Sequence, residues 1–294
     1  MSEMILVSGA TGTVGSEVVK QLSGFTDVNI KAAARSVEKI KNLESSDNVK
    51  GVHIDYNKPE SLKEALKDVD KLFLLAPAVP NAEELESNLV NEAKKAGVRY
   101  IVKQSVMGAD EGAEVEIMRQ HRKAEKIIEE SGISYTFLRP NEFMQNFINF
   151  HGQSIKNNNA FYLPLENAKV SVVDVRDIAA VAVNALTENG DNNRHNNKAY
   201  LITGPEALSY SEMAELLFNA TGKKVSYVSI SEGEARAAMK EMGMDDWLIN
   251  TISELANYFK KGYASQVSSA VEEITGKKPL SFSQFANDYA QLFR

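Results

Sequence analysis

The 294-residue sequence contains no cysteine, which excludes disulfides, thiolate nucleophiles and sulfur-ligated metals. Histidine is scarce: His53, His121, His151 and His195 show no paired ligand spacing, so no metal is expected. Positive charge is also short, with 33 Lys and Arg against 40 Asp and Glu and a formal net charge of −7. No basic face is concentrated enough to neutralise a phosphate backbone, so nucleic acid is not expected as a direct partner. No run approaches the roughly 18 uninterrupted apolar residues of a membrane span. A first strand opening at Met4 leaves no room for a charged leader with an apolar centre. A cytoplasmic protein without membrane contact is the expectation. What remains is an ordinary globular composition, 43% hydrophobic and 25% charged, on a chain long enough for one domain with a smaller lobe added.

Short Val/Ile/Leu/Ala runs alternate with amphipathic stretches as far as residue 140, the rhythm of βαβ units in a parallel sheet. Strands are expected at Met4–Ser8, Val28–Ala34, Lys50–Ile54, Lys71–Ala76, Tyr100–Gln104 and Ser134–Leu138. Helices are expected at Thr13–Leu22, Val37–Leu43, Pro59–Leu66, Ala82–Ala96 and Val115–Ser131, with Gly97 and Gly132 as stops. The fold class is therefore α/β, a Rossmann-type doubly wound parallel sheet with helices on both faces. After Pro140, longer helices and brief strands (Lys169–Val173, Ala199–Ile202, Val225–Ile230) read as a smaller mixed lobe covering a substrate cleft. The expected division is 1–140 and 141–294, and the Asn-rich stretch Thr187–Lys198 is a solvated loop.

The first strand runs into Gly9-Ala10-Thr11-Gly12-Thr13-Val14-Gly15, which opens a helix with Val14, Val18 and Leu22 on one stripe. Gly9 permits a tight turn, Gly12 lets backbone N–H groups approach a diphosphate, and Gly15 lets helix and strand pack closely. Thr11, Thr13 and Val14 complete a cradle at the positive end of the helix. About 20 residues past such a loop a carboxylate takes the ribose 2′-OH of NAD. Here Arg35 stands at that place, and a guanidinium suits a 2′-phosphate, so NADP(H) is favoured over NAD(H); the plainer reading is a solvated arginine before the next helix. Lys39, one turn on, can support the same phosphate. Asp55 and Tyr56 end the third strand and can meet the adenine, although an acidic residue there also starts helices.

Ser8–Gly15, Ala34-Arg35-Ser36, Ser134–Pro140, Val173–Asp177 and Leu201–Glu206 together resemble the NmrA-like atypical short-chain dehydrogenase/reductases, over nearly the whole chain. Within that family the sequence most resembles triphenylmethane dye reductases and NAD(P)H:quinone reductases; similar sequences are also grouped with nucleoside-diphosphate-sugar epimerases. The resemblance implies a two-lobed fold and an NAD(P) cleft. Typical short-chain dehydrogenases carry a Ser and a Tyr-x-x-x-Lys that protonates the product alkoxide. Ser105 matches the first element, but the lysine position holds His121, the tyrosine position holds Ile117, and no tyrosine lies between Tyr100 and Tyr135. Alcohol dehydrogenase and epimerase chemistry are thereby disfavoured. Quinones and cationic dyes delocalise the added electrons and take a proton from water, so they need mainly orientation beside the nicotinamide.

Ligands of open α/β sheets lie beyond the carboxyl ends of the strands, which singles out Ala76-Pro77-Ala78, Ser105 to Met107, and Pro140 to Phe143. Ser105, His121 and Asn141 are the candidates nearest chemistry, and Met107, Asn141 and Phe143 the candidates for a pocket that takes a small planar apolar substrate. Each has a plainer reading: Ser105 satisfying a turn, His121 a core residue beside Ile117, Ala124 and Ile128, Asn141 a helix cap, and Phe143, Phe147 and Phe150 a packing stripe. Asp174, Arg176 and Asp177 read as caps and salt-bridge partners of a helix at Ile178–Leu186. Trp247, Tyr258 and Phe259 suit either a pocket roof or a homodimer contact. Two functions stand open: an NADPH-dependent reductase of conjugated acceptors, or an NADP(H)-sensing regulator that binds a protein partner without turnover.

Overall fold

The computed structural model describes residues 2–41, 46–188 and 194–294. In chain order the elements are β1 (Glu3–Ser8), α1 (Thr13–Leu22), β2 (Val28–Ala34), α2 (Val37–Ile40), β3 (Val49–His53), α3 (Pro59–Leu66), β4 (Lys71–Leu74), α4 (Ala82–Ala96), β5 (Tyr100–Gln104), α5 (Glu116–Ser131) and β6 (Ser134–Pro140). A π-helical turn (Phe147–His151), α6 (Gly152–Asn158), β7 (Ala160–Leu163), β8 (Lys169–Val170), α7 (Val175–Thr187), β9 (Lys198–Ile202), β10 (Leu208–Ser209), α8 (Tyr210–Thr221), β11 (Ser226–Ser229), α9 (Glu232–Glu241), α10 (Asp246–Lys260), α11 (Ala270–Thr275) and α12 (Phe282–Asp288) follow, and a 3-10 turn (Ala290–Leu292) ends the run.

The chain forms two compact units. The first gathers Met1–Glu111, Met118–Arg139 and Ile178–Leu201; the second gathers Gly112–Ile117, Pro140–Asp177 and Ile202–Arg294. The chain crosses at Arg139–Pro140, beside the boundary expected from the change of rhythm, but residues 178–201 come back to the first unit. The Ala199–Ile202 strand, expected in the added lobe, is accordingly β9, which lies beside β6 in the large sheet. That sheet has the order β3-β2-β1-β4-β5-β6-β9, and β1 to β6 pair in parallel. Succession runs outward from β1 to β3, then resumes on the other side of β1 with β4. The β1/β4 junction is thus the topological switch point, where open α/β sheets leave a crevice.

On one face of the sheet Leu6, Leu72, Leu74, Ile101 and Phe137 pack against Leu62, Leu66, Leu85, Leu89 and Ile128 from α3, α4 and α5, all fully or nearly fully buried. Each such side chain contributes about 1.5–3 kcal/mol of burial. Gly97 ends α4 at φ 83° with its N–H on the carbonyls of Ala93 and Lys94, the left-handed stop its place predicts. The strand expected to reach Ala76 stops at Leu74, because the Leu75 N–H turns away from a strand neighbour to Ser8 Oγ at 2.8 Å. Of the helix expected over Val37–Leu43, Val37–Ile40 is observed, and Leu43 lies outside the described residues, as do residues 189–193 of the Asn-rich loop.

In the second unit the expected strand Lys169–Val173 shortens to β8, and Val173 instead makes an isolated bridge with Phe143. This removes Phe143 from any helical stripe with Phe147 and Phe150. Phe147 is buried in an aromatic cluster, 5.2 Å from Phe161, 4.9 Å from Phe282 and 6.2 Å from Tyr210 by ring centroids. Phe150 is exposed. The single helical stripe expected of these three therefore fails on backbone grounds: an isolated bridge and a π-helical turn do not give the 3.6-residue period. Arg176 grips Asp174 through Nε (3.0 Å) and Nη2 (2.7 Å) and reaches Asp288 (2.7 Å), the salt-bridge role expected of it. No described helix is long and apolar enough to cross a membrane.

His151 closes the π-helical turn 5.7 Å from the rings of Phe147 and Phe161, and burial pushes its pKa down from 6.5 to about 4. The unfolded chain takes up a proton near 6.5 that the fold refuses until about 4, so stability falls as pH drops through that window, by roughly 3 kcal/mol from this group. His151→Phe is expected to flatten this part of the acid limb, read as the difference in urea midpoint between pH 7 and 4.5.

Candidate functional site

Ser8, at the end of β1, lies in hydrogen-bond contact with the Phe73 and Leu75 carbonyls (3.0 and 3.2 Å) and accepts from Leu75 N. It stitches the two strands that flank the switch point. Gly9 then turns at φ +65°, and its carbonyl accepts from Gly12 N at 2.9 Å. A Cβ on Gly15 would stand 2.2 Å from that same carbonyl oxygen, and one on Gly12 would stand 3.2 Å from it. Helix and turn are therefore in backbone contact. Gly12 is the N-cap of α1; no side chain caps the helix and no acidic residue occupies its first turn. The opening N–H groups, including those of Thr13, Val14 and Gly15, are left at the positive end of the helix without a side-chain acceptor. Thr11, Gly12 and Thr13 are exposed, while Val14 and Gly15 are buried. This cradle, open in front and too tight behind for any side chain, fits a diphosphate.

Arg35 follows β2 directly and is exposed, with no ion pair among the described residues. Lys39, in α2, is exposed as well. Asp55 serves its own turn: its carboxylate accepts from Asn57 N (3.1 Å) and pairs with Lys58 (3.3 Å). The Asn57 hydrogen bond leads the causes that hold its carboxyl below the usual range. Tyr56 is 6% exposed and donates to the Leu75 carbonyl at 2.8 Å, with burial pushing its hydroxyl up to about 12. It braces the turn after β4 from within.

Ala76 and Pro77 leave β4 half-buried, and Ser105 and Met107 leave the neighbouring β5, both buried. The Ser105 hydroxyl donates to Glu125 of α5 at 2.7 Å. His121, one turn earlier on α5, has its Nδ1 enclosed without a hydrogen-bond partner among the described residues. Burial, and then the nearby Lys103 ammonium, hold its pKa well below the ordinary value, so the imidazole is neutral. A neutral ring with an orphaned nitrogen beside the strand ends fits a polar ligand group as the missing partner.

Asn141 and Phe143 belong to the second unit. Both Asn141 amide hydrogens are taken, by Ser171 Oγ and the Ala264 carbonyl at 2.8 Å each, and its oxygen accepts from Glu142 N. It ties segments of that unit together and neither caps a helix nor retains a donor for a reacting group. Phe143 is half-buried.

Three residues of this corner carry no mark of a site in the sequence. Glu125 is fully buried and accepts from Arg139 Nε (2.9 Å) and Nη2 (2.5 Å) and from Arg122 (3.2 Å). Lys103 and Glu86, likewise buried, are joined by Lys103 Nζ contacts of 2.7 and 2.5 Å to both carboxylate oxygens. What they do carry is a sign of burial. Glu86 falls on the stripe of Leu89, Val90 and Ala93, Glu125 on that of His121 and Ile128, and Lys103 in a strand otherwise read as buried.

A family model described as the NmrA-like family matches residues 1–286. The chain is 40% identical over 293 residues, 99% of both chains, to an NAD(P)H azoreductase of Xenophilus azovorans. Among solved structures it is similar to the NADPH-dependent quinone oxidoreductase of Escherichia coli complexed with NADPH, with a TM-score of 0.85, 26% identity and 99% of both chains covered. It is also similar to the triphenylmethane reductase of a Citrobacter species complexed with NADP(H), with a TM-score of 0.84 and 27% identity over 99% of this chain and 100% of that one. The glycine turn at the switch point, the doubly wound sheet and the matched span agree: the chain belongs to the NmrA-like family.

Proposed function

We propose that this protein is an NADPH-dependent reductase that passes a hydride to quinones, dyes or similar conjugated acceptors without a tyrosine–lysine proton relay. The observation that carries it is a combination at the carboxyl ends of the parallel strands: an uncapped glycine cradle after β1 at the switch point, and, after β5, a serine and a histidine with no proton to give. Ile117 stands in the tyrosine position, the His121 imidazole is neutral, and the Ser105 proton is held by Glu125. The relatives' names agree with this chemistry, since azo dyes, triphenylmethane dyes and quinones all spread incoming electrons over a conjugated system.

In this reading Gly9, Thr11, Gly12, Thr13, Val14 and Gly15 hold the diphosphate through backbone N–H groups and the helix end. Arg35 and Lys39 bind the 2′-phosphate, Asp55 borders the adenine, and Tyr56 braces Leu75. Ala76, Pro77, Ser105 and His121 surround the nicotinamide end, with Met107 on the acceptor's side. The reduced nicotinamide supplies the hydride when bound, and the chain's residues orient the acceptor and exclude water.

Purified protein given NADPH and menadione, an azo dye or a triphenylmethane dye is expected to oxidise the cofactor. Arg35→Ala is expected to weaken NADPH binding by about tenfold to a hundredfold, the loss of a charged hydrogen-bond partner, and to leave NADH unchanged. Tight NADPH binding without turnover across the panel, together with a co-purifying protein, would replace this reading by a regulatory one.

A further inference from the structure

Ser105 ends up chemically one-sided. A hydroxyl has a single proton, and a carboxylate only accepts. The Ser105 proton is directed at Glu125 Oε1 at 2.7 Å, inside a network whose every other member is a donor: Arg139 Nε on the same oxygen, and Arg139 Nη2 and Arg122 Nη1 on the other. Turning the proton outward would set a buried serine lone pair against a carboxylate oxygen, with both groups almost wholly excluded from water. Arg122 is in turn fixed, since it also forks onto Glu129 at 2.8 and 3.0 Å.

We propose that Glu125, clamped by Arg139 and Arg122, is a positioning residue that makes Ser105 a pure hydrogen-bond acceptor at the nicotinamide end of the site. So arranged, Ser105 selects the carboxamide N–H of the cofactor and cannot polarise a substrate carbonyl. The inference rests on the cofactor reading above and adds a specificity to it. It also shows the loss of carbonyl chemistry to be double: the tyrosine position is empty of acid, and the serine that would share the carbonyl oxygen has been turned inward.

The test compares, by calorimetry, the affinities of NADPH and of its reduced 3-acetylpyridine analogue, in which a methyl replaces the carboxamide NH2 while the carbonyl remains. The wild-type chain is expected to prefer NADPH by about fivefold to tenfold, one neutral hydrogen bond. In Ser105→Ala the preference is expected to fall within about twofold of unity. Glu125→Leu, checked for folding by circular dichroism, frees the serine proton and is expected to lose the preference while Ser105 is still present; should it misfold, the first two arms decide. NADPH binding without preference, or a preference that survives Ser105→Ala, overturns this proposal alone. Binding of neither nucleotide overturns the cofactor reading itself, and this inference with it.

Discussion

Gly15→Ala is expected to cost at least about a hundredfold in NADPH affinity. The added carbon would lie 2.2 Å from the Gly9 carbonyl oxygen and 2.7 Å from its carbon, distances at which backbone must move. What moves is either the turn or the first turn of α1, and the proposed diphosphate cradle is made of both. Stability should fall as well, by about 1–3 kcal/mol as for other overpacked sites. Gly24→Ala is the control: its Cβ would meet only the Gln21 carbonyl at 3.5 Å, an ordinary contact, so affinity should be unchanged. Calorimetric titration of both variants with NADPH, alongside their melting temperatures, separates the two outcomes. A Gly15→Ala protein that binds NADPH like the wild type would show that the cradle is not where the diphosphate rests.

Lys103→Met is expected to destabilise the protein by about 3–5 kcal/mol at neutral pH, because it leaves the Glu86 carboxyl buried without its partner. Burial already pushes that carboxyl up against the pull of Lys103. Without the ammonium the folded-state pKa rises further above the unfolded value, and the sign follows: the fold tolerates the protonated acid, and stability is lost as pH rises through and beyond the unfolded value. The deficit should therefore be small near pH 4 and grow towards pH 7. Glu86→Leu combined with Lys103→Met should recover most of it, since apolar replacement of a whole buried pair is close to neutral. Urea midpoints at the two pH values for the single and double variants check this. A deficit that does not depend on pH would mean that lost packing, rather than an unpaired carboxyl, is responsible.

The glycine turn was legible in one dimension because its requirements are local. The spacing of Gly9, Gly12 and Gly15 answers to a positive φ and a backbone contact within seven residues, and the flanking strand and helix carry their own periods. β2, β5, α1, α3 and α4 fall where that periodicity places them, for the same reason. Residues whose role depends on distant partners were harder to see. By residue type Asn141 suits a substrate ligand or a cap, but its amide is committed to Ser171 and Ala264; by spacing Phe143 suits one face of a helix, but a bridge to Val173 holds it in extended backbone. The strand at Ala199–Ile202 carries no mark of which sheet it joins; only its place beside β6 tells.

The sequence by itself determined the Rossmann order of elements, the glycine turn and the arginine that follows β2, the missing tyrosine and the family. These are statements about residue type and short spacing, which chain chemistry states directly. Tertiary structure alone decided the charges that lie inside: that Lys103 meets Glu86, that Glu125 gathers Ser105, Arg139 and Arg122, and that a nitrogen of His121 is left without a partner. Burial removes water as a competing partner, so what a buried charge or hydroxyl can do depends on which group from elsewhere in the chain stands within about 3 Å of it.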